Sequence, residues 1–140
     1  MVENIIEVVK DIQGWTLTLI LMLLVFSDTF LALKTRVPMG QFLSKKLLMG
    51  SGYNMLLSSV PLVSQFMINS DFTNTSDDLV LRLVMVFMFA VGFLGIFGSC
   101  LVNYTMAYPN SEKALAFVKQ FLPSELEEKT RRLDEKKVKW

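Results

Sequence analysis

Asp28 is the residue whose chemistry most needs an explanation, because it lies inside an otherwise apolar stretch at residues 14–33. In a helix, the carboxylate would sit roughly 9 Å from the basic end of this stretch. A carboxylate at the centre of a lipid-embedded helix costs roughly 2.5–3.5 kcal/mol. The functional interpretation is an ion path, a gating switch or an assembly contact. The structural alternative is an ion pair with Arg36, Lys45 or Lys46.

Polar and small residues recur at helical spacing in a second apolar stretch, residues 47–68. At 100° per residue they fall within an arc of about 80° on one face of a helix. A helix surrounded by lipid does not turn such groups toward acyl chains. This stripe therefore either contacts another helix or lines water after copies of the chain rearrange. Its members are Gly50, Asn54, Ser58, Pro61 and Gln65.

A third apolar stretch, residues 83–106, has a face of small residues. Small side chains let helix backbones approach closely in lipid, where no hydrophobic force drives helices together. The face predicts close helix packing, either within the chain or between chains. It consists of Gly92, Gly95 and Ser99, followed by Asn103.

The side chains that most enzymes need are missing or isolated. The chain has no histidine and Cys100 is its only cysteine, so neither a metal site nor an internal disulfide is expected. The sequence also lacks a glycine-rich phosphate loop, a serine nucleophile with a base, and a second intramembrane acid. The basic C-terminal region lacks interleaved aromatics and is balanced by acids, which argues against nucleic-acid binding. We expect no enzyme activity, no cofactor and no nucleic-acid partner.

Three apolar stretches must position these residues, at about 14–33, 47–68 and 83–106. Each is long enough as a helix to cross a hydrocarbon layer of about 30 Å. Hydrophobic residues make up 52% of the chain, and the third stretch carries no charge where a soluble bundle would need a polar outer face. The sequence predicts an all-α membrane protein, with a three-span transmembrane domain at 1–108 and a charged, helical cytoplasmic tail at 109–140.

The loops between the stretches alternate in charge. The second loop, residues 69–78, carries three aspartates and no base, whereas the first carries four bases and no acid. Because positive loops stay in the cytoplasm, the first loop is predicted inside and the second outside. The N-terminus is then outside and the C-terminus is in the cytoplasm. The residues that set this topology are Lys34, Arg36, Lys45 and Lys46.

The two ends of the chain have amphipathic patterns. Residues 3–12 predict a short amphipathic helix, which would lie in the outer interface or, as we favour, continue into the first span. In the tail, Pro109 ends or bends the third helix, and acid–base pairs four residues apart predict a last helix. Those pairs are Glu125–Lys129, Glu127–Arg131 and Glu128–Arg132.

Two groups of residues resemble a known family. The run at 26–34, with Asp28 four places before Ala32, is followed by Ser44-Lys45-Lys46 and Gly50. Pro109 and a short basic amphipathic segment then follow the third stretch. This order is similar to that of phage holins of the Gram-positive toxin-secretion and lysis type. The chain departs from them at Ala32, where glycine is usual, and lacks their Glu-Asn pair near the end of the third span.

The resemblance implies a holin that oligomerises in the cytoplasmic membrane of a bacterial host and permeabilises it, so that endolysin is released or activated. Lipid and further copies of the chain would be its physical partners, and endolysin a functional partner without direct binding. The stripe at 50–65 would line the lesion, and Asp28 would bias the switch. Two other functions stay open: a small ion channel or transporter subunit, and a non-permeating membrane adaptor, including a holin antagonist.

Overall fold

The computed structural model describes residues 1–36, 45–70 and 75–137, without the side chains of 45–47, 75–77, 136 and 137. Over these residues the chain is helical and has no strand, as the sequence predicts. The helices are α1 (Val2–Asp11), α2 (Gly14–Arg36), α3 (Lys45–Asn69), α4 (Thr75–Ala107), α5 (Glu112–Phe121) and α6 (Pro123–Lys137).

α1 is a separate helix, so the expectation that it continues into the first span is wrong. Ile12 interrupts it with extended backbone, at φ −71° and ψ 126°. Its C-terminal end is held against α4, where the Arg82 guanidinium donates a hydrogen bond of 2.8 Å to the carbonyl oxygen of Lys10. Val9 is buried, but Ile5 and Val8 remain largely exposed. The apolar face of α1 is therefore only partly covered by the bundle.

The three long helices pack against one another as a bundle, with α2 in contact with both α3 and α4. Leu21, Val25 and Ile96 form its fully buried apolar core. Several buried side chains are polar, including Thr18 and Ser58. Large apolar side chains cover the outer surface instead: Leu23, Phe26, Phe30, Leu56, Val63, Phe66, Phe87, Val91 and Leu94.

Among the residues that the structure describes, two helices, not the predicted three, are apolar enough to cross a membrane. Their most apolar windows, in α2 and in the described part of α4, have mean hydropathies of 2.1 and 2.5. Only 22% and 11% of these windows are buried, unlike the core helices of soluble proteins. The predicted second span corresponds to α3, which is long enough at 25 residues. Its polar stripe, above all Asn54 and Gln65, lowers its mean hydropathy below that of a typical span.

The tail folds back onto the bundle. α4 ends at Ala107, two residues before Pro109, because proline cannot continue the backbone hydrogen bonding of a helix. The chain then reverses, and Leu122 packs beside Gly98 of α4. Of the predicted pairs in α6, Glu125–Lys129 and Glu128–Arg132 form. Arg131 pairs instead with Glu135, at 3.3 Å.

Candidate functional site

Asp28 is held by two neutral side chains of α4. The Asn103 amide nitrogen donates a hydrogen bond of 2.6 Å to Oδ1, and the Ser99 hydroxyl donates one of 3.1 Å to Oδ2. Both carboxylate oxygens therefore accept hydrogen bonds, which is how an ionised acid is stabilised away from water. Arg36, one of the predicted partners, is close enough to Asp28 to interact electrostatically. The side chains of the other two, Lys45 and Lys46, lie outside the described residues.

A lysine from the tail completes the cluster. The Lys129 ammonium donates to the Ser99 hydroxyl at 2.9 Å, to the Ser99 carbonyl at 3.3 Å and to Asn103 Oδ1 at 3.2 Å. It also lies 3.6 Å from a carboxylate oxygen of Glu125. An ammonium has three donors and no acceptor, so three oxygen acceptors match its protonated form.

Ser99 and Asn103 link the two charges. Each side chain donates to the Asp28 carboxylate and accepts from the Lys129 ammonium. A carboxylate from α2 and an ammonium from α6 therefore stand on opposite sides of two neutral residues from α4. We call these four residues, Asp28, Ser99, Asn103 and Lys129, the bridge cluster.

Burial lowers the pKa of Lys129. Loss of hydration on burial lowers the pKa of its ammonium from the usual 10.5, whereas the nearby carboxylates of Asp28 and Glu125 act in the opposite direction. Desolvation is the larger effect, because an ammonium loses strong hydration when it leaves water. The nearby carboxylates and the oxygens of α4 therefore compensate only part of the hydration that the ammonium loses.

The local sequence explains how α4 presents this cluster. Ser99 and Asn103 are four residues apart and so share one helix face. The predicted small-residue face continues from them to Gly92, which packs near Leu21, whereas Gly95 is exposed and a Cβ added there would meet nothing within 4 Å. Gly92, Ser99 and Asn103 thus contact α2, whereas Gly95 contacts no other described helix there.

The predicted stripe of α3 faces the other helices for most of its length. Ser58 and Pro61 are buried, and Asn54 and Gln65 are half-buried. The side-chain oxygen of Gln65 accepts a hydrogen bond of 3.0 Å from the backbone N–H of Gly14. Gly50 alone in the stripe is exposed, with open space around it.

A second polar contact between α2 and α3 lies beside Pro61. The backbone N–H of Leu62 donates a hydrogen bond of 3.1 Å to the hydroxyl of Thr18 on α2. A proline distorts the helix around it and weakens nearby backbone hydrogen bonds, so a hydroxyl from a neighbouring helix can satisfy the freed donor. Thr18 is buried at this contact.

The remaining topology-setting residues lie at one end of the bundle. Lys34 is exposed, and its ammonium lies 3.7 Å from the centre of the Tyr108 ring, just beyond the end of α4. This cation–π contact ties the end of α2 to the start of the tail. Arg36 is half-buried at the last position of α2.

Sequence reasoning missed Lys129, Gly14 and Thr18. The spacing of charges assigns Lys129 only to a pair within α6, and nothing in it indicates a contact with residues 26 to 30 positions earlier. Gly14 begins α2 at a crowded point, where an added Cβ would lie 2.2 Å from the carbonyl oxygen of Pro61. A glycine at the start of an apolar stretch was the available signal of such a close approach.

Comparison with known proteins does not identify the chain. No protein-family model, curated protein or solved structure matches it.

Proposed function

We propose that this chain is a holin-type protein that crosses the cytoplasmic membrane of a bacterial host three times, oligomerises there and permeabilises the membrane for lysis. Its N-terminus is outside and its C-terminus is in the cytoplasm. Endolysin is its functional partner. The observation that carries the proposal is the distribution of polarity: the long helices turn polar side chains toward one another and large apolar side chains outward.

The same distribution supports a span for α3 despite its modest hydropathy. Its polar residues Ser58 and Ser64 are buried, whereas Leu56 and Phe66 are 71% and 68% exposed. Mean hydropathy averages over both faces and so understates how apolar the outer face is. Along the chain, α3 follows one helix that is apolar enough to cross a membrane and precedes another, and it packs against both. A third span fits that environment.

Polar surfaces that are hidden in one copy allow a membrane lesion to form later. In lipid, the stripe of α3 and the bridge cluster need polar partners, which the neighbouring helices provide. When copies gather, helices can separate and water can replace those partners. The resemblance of residues 26–34 and 44–50 to holins points in the same direction.

Inducible expression in a bacterium tests this proposal. We expect a delay followed by an abrupt loss of membrane potential, measured with a voltage-sensitive dye, and release of a co-expressed endolysin. Discrete, ion-selective conductance in planar bilayers without release of large solutes would indicate a channel subunit instead. Unchanged potential, with function lost only on deletion of residues 110–140, would indicate an adaptor.

Replacing both Asn54 and Gln65 by leucine tests the role of the stripe. We expect the double variant to insert normally but to lose lysis, because leucine cannot line a water-filled lesion. The matched control replaces Tyr53 and Phe66, their exposed neighbours on α3, by leucine and should lyse on schedule. Insertion is measured by membrane fractionation and lysis by culture density. Normal lysis by the Asn54 and Gln65 variant would remove the stripe from the mechanism.

A further inference from the structure

Oxygen atoms surround the Lys129 ammonium in an arrangement suited to a cation. A backbone carbonyl, a hydroxyl and a side-chain amide oxygen, all from α4, lie 2.9–3.3 Å from its nitrogen. Neutral oxygens of this kind replace the hydration shell of potassium in ion-conducting proteins. α4 alone thus supplies three of the oxygen ligands.

Asp28 provides the charge for this set of oxygens. Within the part of the chain that the structure describes, Asp28 and Lys129 form no ion pair within 4.0 Å. Asp28 influences the cation through the hydrogen bonds that it accepts from Ser99 and Asn103. Those bonds polarise the Ser99 hydroxyl and the Asn103 amide, so that the oxygens that contact the cation carry a larger partial negative charge. A single carboxylate behind neutral ligands suits a single positive charge.

The other charged groups near the bridge cluster lie on α6 or at the end of α2. Glu125 and Arg132 belong to α6, and Arg36 lies at the end of α2. Electrostatic interaction couples Arg36 to both Arg132 and Asp28. If α6 moves away, Glu125 and Arg132 leave with Lys129, and the Asp28 carboxylate then needs another positive charge nearby.

We propose that Ser99, Asn103 and Asp28 form a binding site for a monovalent cation of about the size of ammonium, and that Lys129 occupies this site as a tethered ligand. The free ligand is a potassium ion or a primary ammonium group. Both match the distances around Lys129 Nζ, whereas a quaternary ammonium is too bulky and has no N–H donor. This site is independent of lysis, so its test is a binding measurement.

Thermal unfolding of the full-length protein in detergent micelles tests the site. In the Lys129→Met variant the tethered ligand is gone, and its Tm should be about 3–6 °C higher in potassium chloride or methylammonium chloride than in choline chloride at equal concentration. The wild-type protein should show less than a third of this difference, because Lys129 competes. Stabilisation by potassium alone or by methylammonium alone identifies the natural class of ligand.

Two variants control the measurement. Arg131→Met removes an exposed basic residue of the same helix and should behave like the wild type. Adding Asn103→Leu to Lys129→Met removes a ligand and should abolish the difference between salts. Equal Tm of Lys129→Met in potassium and choline, or an equal shift in the variant lacking Asn103, would overturn the proposal. If Lys129→Met loses helical circular dichroism, Lys129→Gln carries the same comparison.

Discussion

Asp28 shows how a carboxylate within an apolar helix can be stabilised without direct contact to an opposite charge. Its two oxygens accept hydrogen bonds from Asn103 and Ser99, and the cation lies beyond them. Hydrogen bonds to a charged group are stronger than those between neutral groups, roughly 1.5–3 kcal/mol each. Two such bonds are comparable in size to the cost of roughly 2.5–3.5 kcal/mol for an acid at a span centre.

Gly14 is the residue whose replacement should most disturb helix packing. An added Cβ would lie 2.2 Å from the Pro61 oxygen and 2.9 Å from the Met85 sulfur, so Gly14→Ala must push three helices apart. We expect a loss of about 1–3 kcal/mol of stability, measured as a lower Tm in micelles. Gly50→Ala is the control, because open space surrounds Gly50, and it should leave Tm equal or slightly higher. Equal behaviour of the two variants would contradict the packing described.

The lowered pKa of Lys129 predicts how stability depends on alkaline pH. Below the folded-state pKa, Lys129 is protonated in both the folded and the unfolded chain, and the folded chain bears the cost of burying the ammonium. Between that pKa and 10.5 the unfolded chain binds more protons, so stability rises with pH. The Tm of the wild type minus that of Lys129→Met should therefore increase from about pH 8 to about pH 11. A difference that decreases over this range would mean that attraction to Asp28 outweighs desolvation.

At the scale of single helices, α3 and α6 have opposite characters. α3 turns its polar side toward neighbouring helices, as expected for a helix in lipid. α6 is rich in charged residues and exposes most of them, with Leu126 and Leu133 half-buried. Its surface ion pairs contribute little to docking, because exposed pairs are typically worth less than about 1 kcal/mol. The hydrogen bonds of Lys129 to Ser99 and Asn103 tie α6 to α4.

Loss of that contact should loosen α6. Lys129→Met removes three hydrogen bonds to α4, so we expect faster trypsin cleavage after Arg131 and Arg132 and faster amide exchange across residues 123–137. Lys113→Met, a replacement of an exposed lysine on α5, controls for the loss of one charge. Unchanged protection of α6 in Lys129→Met would show that apolar contacts alone dock it.

At the scale of the whole molecule, an odd number of spans places the two ends on opposite sides of the membrane. In a Cys100→Ser background, Asn4→Cys should react with a membrane-impermeant maleimide on intact spheroplasts, and Glu127→Cys should react only after permeabilisation. Both positions are exposed in the structure, so labelling reports sidedness. A two-span arrangement, with α3 outside the lipid, would label both positions alike and would reject the third span.

The sequence by itself determined the helical class, the three apolar stretches and the end of α4 near Pro109, because helix formation depends on nearby residues and on local periodicity. It identified Asp28 as a carboxylate that needs a partner, and it placed Ser99 and Asn103 on a helix face for close packing. Only the tertiary structure decided which partners they find. The contact between residues 28 and 103, and that between residues 99 and 129, join positions far apart in the chain, and no local pattern specifies such pairs. The same holds for Gly14, whose close approach to Pro61 depends on how α2 and α3 cross.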